Sequence, residues 1–368
     1  MTTILICIDG CAPAYLEAVD TPVLDRLGRE GRWVTGRGMM PTVTNVNNAS
    51  LLTGLPPADH GISGNYFLDD AGQGTYMESP GLLRAPLIFS RIQENGGRTV
   101  MISSKRKLVD LFGGAAGLAF SVEQPVAWAV AALGGPPPIY SIEANLWLLR
   151  AARLVLERER PDLLYVTSTD YYGHMLPPEA PACRAFFAEA DRLIGDIVDT
   201  GLPLSIGLTA DHGMNRKTRA IDPARVLHDA GIEAVAVPAL KDKYTKHHNN
   251  LSGVAYVYLN AFECGRAAAA LASLVGVERV LTREEAVTAF HLPADRIGDL
   301  MLLGDIDTVF GEVDEPEVAV DLRSHGSLHE IEVPLISWGP AFAGFVGLEN
   351  RALGATLWTA DAPGSATV

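Results

Sequence analysis

The sequence predicts an α/β fold with a mostly parallel central sheet flanked by helices and an inserted α+β cap. Short apolar runs of strand length alternate with amphipathic runs of helical length, which is typical of a sheet covered on both faces. Three of those apolar runs end in aspartate. We assign 1–213 and 321–350 to the core, 214–320 to the cap, and 351–368, rich in small residues, to a flexible tail.

Each element follows from its own pattern. Thr21, Pro22 and Gly31 have the residue types of a helix cap, a first turn and a stop, so they bound one predicted helix. The other predicted core helices are 141–160 and 180–198. The predicted core strands are 4–8, 100–103, 163–169, 204–210 and 333–337. In the cap, 254–259 is predicted to be a strand, and 265–274 and 283–290 helices.

The composition, net charge and N-terminal sequence argue against nucleic-acid-binding, secreted and membrane proteins. The chain of 368 residues is 48% hydrophobic and 20% charged, as in ordinary globular domains. Its net charge of −15 argues against a nucleic-acid partner, which requires a basic face. The four cysteines form no CxxC pair, and the first apolar run has no basic residue before it and stops at Asp9. We therefore expect a cytoplasmic protein without a signal peptide or membrane span; its oligomeric state stays open.

The candidate metal-binding residues lie where predicted strands end. Asp9 follows 4–8, Asp170 follows 163–169, and Asp211 follows 204–210. His174 follows Asp170 by four residues, and His212 directly follows Asp211. Carboxyl ends of parallel strands meet at one edge of a sheet, where open α/β folds bind their ligands. A single aspartate there is often only a helix cap. Carboxylates and imidazoles delivered together predict a two-metal hydrolase centre.

A further histidine ligand is expected from the segment before the last core strand. His325, followed by glycine, is the favoured candidate and His329 the alternative. The pair at 247–248 is a rival source, although neighbouring asparagines and lysines favour a solvated cap loop.

A polar segment at 41–48 precedes a short predicted helix, and Thr44 falls at or just before the helix N-terminus. One interpretation is an ordinary threonine N-cap. The other is an alkoxide nucleophile, since a metal lowers the hydroxyl pKa and a helix N-terminus favours negative charge.

Two lysines follow the predicted strand 100–103 at the same sheet edge. If the chain stays extended there, Lys105 and Lys107 lie on one side and Arg106 on the other. A solvated basic turn is the alternative. Close to the acidic strand ends, the two ammonium groups are instead candidates for binding an anionic substrate.

In their order along the chain, Asp9, Thr44-Asn45, Asp170 with His174, Asp211-His212-Gly213 and His325-Gly326 resemble the signature of the alkaline phosphatase superfamily. More narrowly, the segments 7–11, 44–48, 64–67, 105–108, 169–171 and 211–215 resemble the phosphonoacetate hydrolases. Val46 and Arg106 depart from the pattern expected there, so the exact phosphonate stays open.

The resemblance implies two zinc ions, although manganese suits the same oxygen-rich set. One ion would be held by Asp170, His174 and His325, and the other by Asp9, Thr44, Asp211 and His212. Asn65 would contact the phosphonyl group, while Lys105 and Lys107 would bind the rest of a small anionic phosphonate.

The implied reaction is cleavage of phosphonoacetate to acetate and phosphate. Thr44 would attack phosphorus and form a phosphothreonine, and the carbon would leave as an enolate stabilised by the lysines. A phosphodiesterase or phosphomonoesterase of the same superfamily is the alternative, because it needs the same metals and nucleophile but no carboxylate-binding lysines. A non-catalytic metal-binding protein is a second rival, which an intact Thr44 disfavours.

Overall fold

The computed structural model describes residues 1–243 and 249–359. Its strands, in chain order, are β1 Thr2–Cys7, β2 Arg32–Arg37, β3 Tyr66–Leu68, β4 Gly74–Tyr76, β5 Thr99–Ser103, β6 Leu118–Ser121, β7 Leu163–Thr167, β8 Leu204–Thr209, β9 Asn215–Ile221, β10 Ala234–Pro238, β11 Val254–Leu259, β12 Val277–Thr282, β13 Leu300–Gly304, β14 Thr308–Phe310, β15 Glu317–Ser324 and β16 Glu332–Trp338. Its helices are α1 Pro13–Glu17, α2 Pro22–Glu30, α3 Thr44–Thr53, α4 Pro57–His60, α5 Ile88–Glu94, α6 Arg106–Phe112, α7 Ala127–Leu133, α8 Glu143–Glu159, α9 Tyr171–Met175, α10 Pro181–Val198, α11 Pro223–Asp229, α12 Cys264–Ala272, α13 Arg283–Phe290 and α14 Arg351–Thr359.

A seven-stranded sheet forms the centre of the fold, in the order β2-β16-β8-β1-β7-β5-β6. The pairs from β8 through β6 are parallel, and β16 runs antiparallel to both of its neighbours. The predicted α/β class with a mostly parallel sheet is confirmed. One consequence is that the strands carrying the predicted aspartates all end at the same edge.

Alternate residues of β1 show how the sheet is covered on both faces. Ile4 and Ile6 pack with α2, α8 and α10 in one hydrophobic core. Leu5 and Cys7 pack with α3, α5, α6 and α14 in a second core. Because both faces are buried, the parallel strands are continuous apolar runs rather than alternating ones.

Two smaller sheets come from the segment between β8 and β16. One is antiparallel, in the order β10-β11-β13-β12, and the other has the order β14-β9-β15. In the latter, Asn215 pairs with Ser324, which brings the chain just after β8 next to the chain just before β16. This pairing delivers two predicted ligand segments to one place. The predicted limits of the cap stay a prediction.

The segment 351–359 corrects one expectation. In place of a flexible tail, these residues form α14, whose Leu353 is fully buried and whose Gly354 packs against Leu51 of α3. Small residues allow this close approach, so the composition that suggested flexibility instead serves packing. Residues 360–368 lie outside the described residues. Among the described helices, none has the length and apolarity needed to cross a bilayer.

Candidate metal centre

The carboxyl ends of β1, β5, β7 and β8 bring four charged side chains together. Asp9, Asp170 and Asp211 are at most 2% exposed. The Lys105 ammonium lies 2.6 Å from an Asp9 oxygen and 2.9 Å from an Asp170 oxygen. Since the register of the strands sets their ends side by side, the predicted convergence of the three aspartates is what the fold produces.

Three histidines complete the cluster. His174, on the short helix that follows Asp170, has its Nε2 3.0 Å from an Asp170 oxygen, and His325 Nε2 lies 3.6 Å from the same oxygen. His212 Nε2 lies 3.4 Å from Asp9. The rings of His212 and His325 are stacked, with 3.5 Å between their centroids. The three imidazoles therefore lie next to the carboxylates of Asp9 and Asp170.

A hydrogen bond at Nδ1 fixes the ring orientation of each of the three histidines. In each case Nδ1 donates to a backbone carbonyl. The distances are 2.7 Å from His174 to Arg323 O, 2.8 Å from His212 to Gly213 O and 2.7 Å from His325 to Thr42 O. Because a carbonyl only accepts, Nδ1 carries the proton and Nε2 presents a lone pair to the cluster. Burial lowers the pKa of His212 and of His325 below the ordinary value, which keeps both in the neutral form that binds metals.

The electrostatics of the cluster favour an added cation. Burial, with the carboxylates of Asp170 and Asp211, raises the pKa of Asp9 well above its ordinary value. Burial opposes ionisation of Asp170 as well, but Lys105 and His174 hold its pKa well below the ordinary value. The single positive charge of Lys105 therefore does not neutralise the three buried carboxylates. Binding of a divalent cation would offset the negative charge that remains.

In the part of the chain that the structure describes, ligand-atom geometry gives two groups that could hold a metal. One comprises Asp170, His212 and His325, the other Asp9, Asp211 and His212, with the ligand atoms of each group within 4.8 Å of one another. His325 Nε2 is buried and has no hydrogen-bond partner among the described residues. These buried oxygen and nitrogen donors fit a pair of divalent ions. The groups differ from the predicted sets in sharing His212 and in omitting His174, which contacts Asp170.

Thr44 is the first residue of α3, and the N-cap position belongs to Val43. The Thr44 hydroxyl oxygen lies 3.4 Å from an Asp9 oxygen and 3.5 Å from His212 Nε2. The hydroxyl therefore faces the cluster and does not cap the helix. The helix N-terminus behind it favours negative charge at this position.

A cavity of about 360 Å³ opens beside Thr44, and Asn65, Lys105 and Lys107 line it. The chain does not stay extended at the lysines, because α6 begins at Arg106 directly after Lys105, so the alternation of sides does not apply. Both lysines nevertheless reach the cavity. They differ in partner: Lys105 contacts the metal-site carboxylates, whereas Lys107 forms an ion pair with Asp242.

The two histidine alternatives are placed differently. His329 pairs with Glu278 near the surface, 2.6 Å away, with 31% of its side chain exposed, and it does not join the cluster. His325 does. The rival pair at 247–248 lies outside the described residues.

Several residues that support the site were not predicted. Ser168 Oγ accepts from the Asp9 amide at 2.9 Å, and Asp242 partners Lys107. Glu330 accepts from the amide and the hydroxyl of Ser327. For Glu330 a local signal exists, because Ser-x-x-Glu has the spacing of a capping box. For Ser168 and Asp242 the contacts span more than a hundred residues of chain, and no local pattern marks them.

Comparison with known proteins finds one family model and several solved structures that resemble this chain along most of its length. A family model described as type I phosphodiesterase / nucleotide pyrophosphatase matches residues 3–328. Phosphonoacetate hydrolase from Sinorhizobium meliloti 1021, solved with phosphonoacetate and with phosphonoformate, superposes with a TM-score of 0.87. Its sequence is 33% identical, and the match covers 97% of this chain and 95% of that one.

More distant relatives carry pyrophosphatase/phosphodiesterase or triphosphatase names. Human ectonucleotide pyrophosphatase/phosphodiesterase family member 7 is 28% identical over 229 residues, which cover 57% of this chain and 47% of that protein. Mouse bis(5'-adenosyl)-triphosphatase enpp4 is 28% identical over 244 residues, covering 60% and 49%. The matching part of this chain thus spans about half the length of these relatives.

Proposed function

This chain belongs to the type I phosphodiesterase / nucleotide pyrophosphatase family, and we propose that it is a phosphonate hydrolase that cleaves phosphonoacetate to acetate and phosphate. The observation that carries the proposal is one cavity that combines Thr44 with the ammonium groups of Lys105 and Lys107. The similarity to a phosphonoacetate hydrolase along nearly the whole chain supports the same substrate. A cytoplasmic location stays a prediction.

Two zinc ions are proposed as cofactors, with manganese as an alternative of similar ligand preference. The buried donors would hold them in the predicted sets: Asp170, His174 and His325 for one ion, and Asp9, Thr44, Asp211 and His212 for the other. Bound zinc supplies Lewis acidity, which lowers the pKa of the Thr44 hydroxyl and neutralises charge on the phosphonate oxygens.

Thr44 is the proposed nucleophile. Its hydroxyl gives up its proton to solvent, and its oxygen forms a bond to phosphorus while the carbon–phosphorus bond breaks. The electron pair of that bond leaves with the carbon. The result is a phosphothreonine and the enolate of acetate, which takes up a proton to become acetate. Water then attacks the phosphothreonine at phosphorus, releasing phosphate and restoring the threonine hydroxyl. Each step conserves charge and atoms without a redox partner.

The two lysines are proposed to stabilise the enolate leaving group. A carbanion leaves poorly unless its charge spreads onto a neighbouring carboxylate, and ammonium groups that face that carboxylate stabilise the enolate as it forms. Lys105 and Lys107 are 13% and 18% exposed, so water screens them only in part. Asn65 lines the cavity, and its side-chain amide nitrogen donates to the Leu240 carbonyl at 3.5 Å; the other N–H of that amide is proposed to contact the phosphonyl group.

A phosphodiesterase or phosphomonoesterase is the second candidate, favoured by the names of the family model and of the human relative. It uses the same cluster and Thr44, and it leaves the lysines without a carboxylate to bind.

A substrate panel separates the two candidates. Zinc-loaded protein is assayed for phosphate release from phosphonoacetate and p-nitrophenyl phosphate, and for p-nitrophenol release from bis(p-nitrophenyl) phosphate, with Thr44→Ala as the control for contaminating activity. We expect the highest kcat/KM for phosphonoacetate. Efficient ester cleavage without phosphonoacetate turnover would assign the chain to the phosphoesterases.

A further inference from the structure

A buried ion pair lies outside the cluster and is used by no step of the mechanism. Lys217 of β9 and Glu330, in the turn before β16, have side chains that are 0% exposed, with Nζ and Oε1 2.8 Å apart. Lys217 Nζ also donates to the carbonyl of Ile306 at 2.9 Å. Burying two charges costs desolvation energy that their mutual attraction often only offsets, so the contacts of this pair, rather than its contribution to stability, indicate what it does.

Glu330 connects this pair to both turns that supply ligands from this side. Its Oε2 accepts from the Ser327 amide at 2.9 Å and from the Ser327 hydroxyl at 2.7 Å, which fixes the turn that begins at His325. Its backbone carbonyl accepts from the Gly213 amide at 2.7 Å, which fixes the turn that carries His212. Asn215 donates to Oε1 at 2.8 Å, so both carboxylate oxygens have partners.

The same turn is tied to the segment that leads to the proposed nucleophile. The Thr42 hydroxyl donates to the Ser327 carbonyl at 2.9 Å and accepts from the Gly326 amide at 3.0 Å. The Thr42 carbonyl accepts from His325 Nδ1 at 2.7 Å. Ser327 therefore connects Glu330, on one side, with the chain that enters α3 on the other.

From these contacts we propose that Lys217 and Glu330 are positioning residues for the metal centre. The pair holds the turns 211–213 and 325–327 at a fixed separation, so that the Nε2 atoms of His212 and His325 are preorganised to bind zinc. Outer-shell groups of this kind commonly change metal affinity by about 10- to 100-fold. This inference rests on the proposed metal dependence of the enzyme.

The test measures zinc affinity rather than turnover. Full-length Glu330→Gln is titrated with zinc against a chromophoric chelator, and the zinc-induced rise in Tm is recorded in parallel. Loss of the negative charge weakens the hydrogen bonds that the Ser327 amide and hydroxyl donate to residue 330. We therefore expect a zinc Kd about 10- to 100-fold higher, with a smaller zinc-induced rise in Tm.

Asp191→Asn is the matched control. Asp191 is also a buried carboxylate, 3% exposed, and its two oxygens accept from the backbone amides of Val23 and Leu24 at 3.1 and 2.9 Å. It accepts from the first turn of α2 and, within residues 1–243 and 249–359, has no hydrogen bond to a ligand turn. This variant should lose stability in the metal-free state and keep the wild-type zinc Kd.

The double variant Lys217→Met/Glu330→Gln covers the case in which Glu330→Gln does not fold. Removing both charges leaves none unpaired, so stability should recover, while the zinc Kd should stay raised because Ser327 still lacks its carboxylate.

A wild-type zinc Kd in the double variant, or an equal rise in Asp191→Asn, would overturn the positioning role. If the wild type binds zinc tightly in the same titration, such a result contradicts only the positioning role and leaves the proposed function standing. If wild type binds no zinc, the proposed function and this inference fail together.

Discussion

Replacing Lys107 by methionine separates carboxylate recognition from phosphoryl transfer. The Lys107 ammonium pairs with Asp242, whereas the Lys105 ammonium contacts two proposed metal ligands. Lys107→Met should therefore leave the metal centre intact. Lys105→Ala should lower activity on every substrate, because it removes the compensating charge between Asp9 and Asp170.

The size of the effect follows from the contact that is lost. A charge-assisted hydrogen bond is worth about 1.5–3 kcal/mol, which corresponds to about a 10- to 150-fold loss in kcat/KM. The variant also removes one positive charge beside the Asp242 carboxylate, 7% exposed, at the wall of the cavity, which makes the cavity less favourable to an incoming anion. The loss for phosphonoacetate should lie towards the upper end and appear in kcat as well as KM, since the enolate charge develops during the reaction.

The assay is steady-state phosphate release from phosphonoacetate, with p-nitrophenyl phosphate as the substrate that has no carboxylate. Lys107→Met/Asp242→Asn should lose less than Lys107→Met, because the negative charge of Asp242 is removed as well. Lys243→Met is the matched control, since Lys243 pairs with Glu78 at the rim and is 44% exposed. Equal losses of kcat/KM on both substrates would refute carboxylate recognition by Lys107.

Three further outcomes are expected. Thr44→Ala should keep its zinc but lose a factor on the order of 10³ or more in kcat, with partial activity in Thr44→Ser; normal turnover by the alanine variant would exclude a nucleophilic role. Chelation should abolish activity and lower Tm, and free zinc at 100 times its Kd should restore about 2.7 kcal/mol of stability; full activity after complete metal removal, checked by elemental analysis, would contradict this. Gly354→Ala should lower the urea midpoint, because its Cβ would lie 1.8 Å from the Leu51 carbonyl, although alanine is the better helix former; an unchanged or higher midpoint would mean that α14 is not docked.

The sheet edge was predictable because its signals are local. An apolar run followed by aspartate marks a buried strand and its carboxyl end together, and parallel pairing then brings Asp9, Asp170 and Asp211 to one edge. His174 follows Asp170 by one helical turn, so its side chain returns to the same carboxylate.

Other features depend on contacts that no local pattern records. Lys217 and Glu330 are 113 residues apart, and only the folded chain shows that they meet. The small residues of 351–359 resemble those of a disordered tail, and their helix is stable because α3 offers a surface that they can approach closely. At Lys105 the alternation of an extended chain failed because α6 begins one residue later.

The most direct test of the central claim is product analysis of phosphonoacetate incubated with the zinc-loaded protein. Phosphorus and proton NMR follow the phosphonate, phosphate and acetate signals together, with Thr44→Ala run in parallel. Cleavage of the carbon–phosphorus bond predicts that acetate and phosphate rise in equal amounts in wild type and do not accumulate in Thr44→Ala. An unchanged phosphonoacetate signal in zinc-loaded wild type, under conditions where a phosphate ester is hydrolysed, would contradict the assignment.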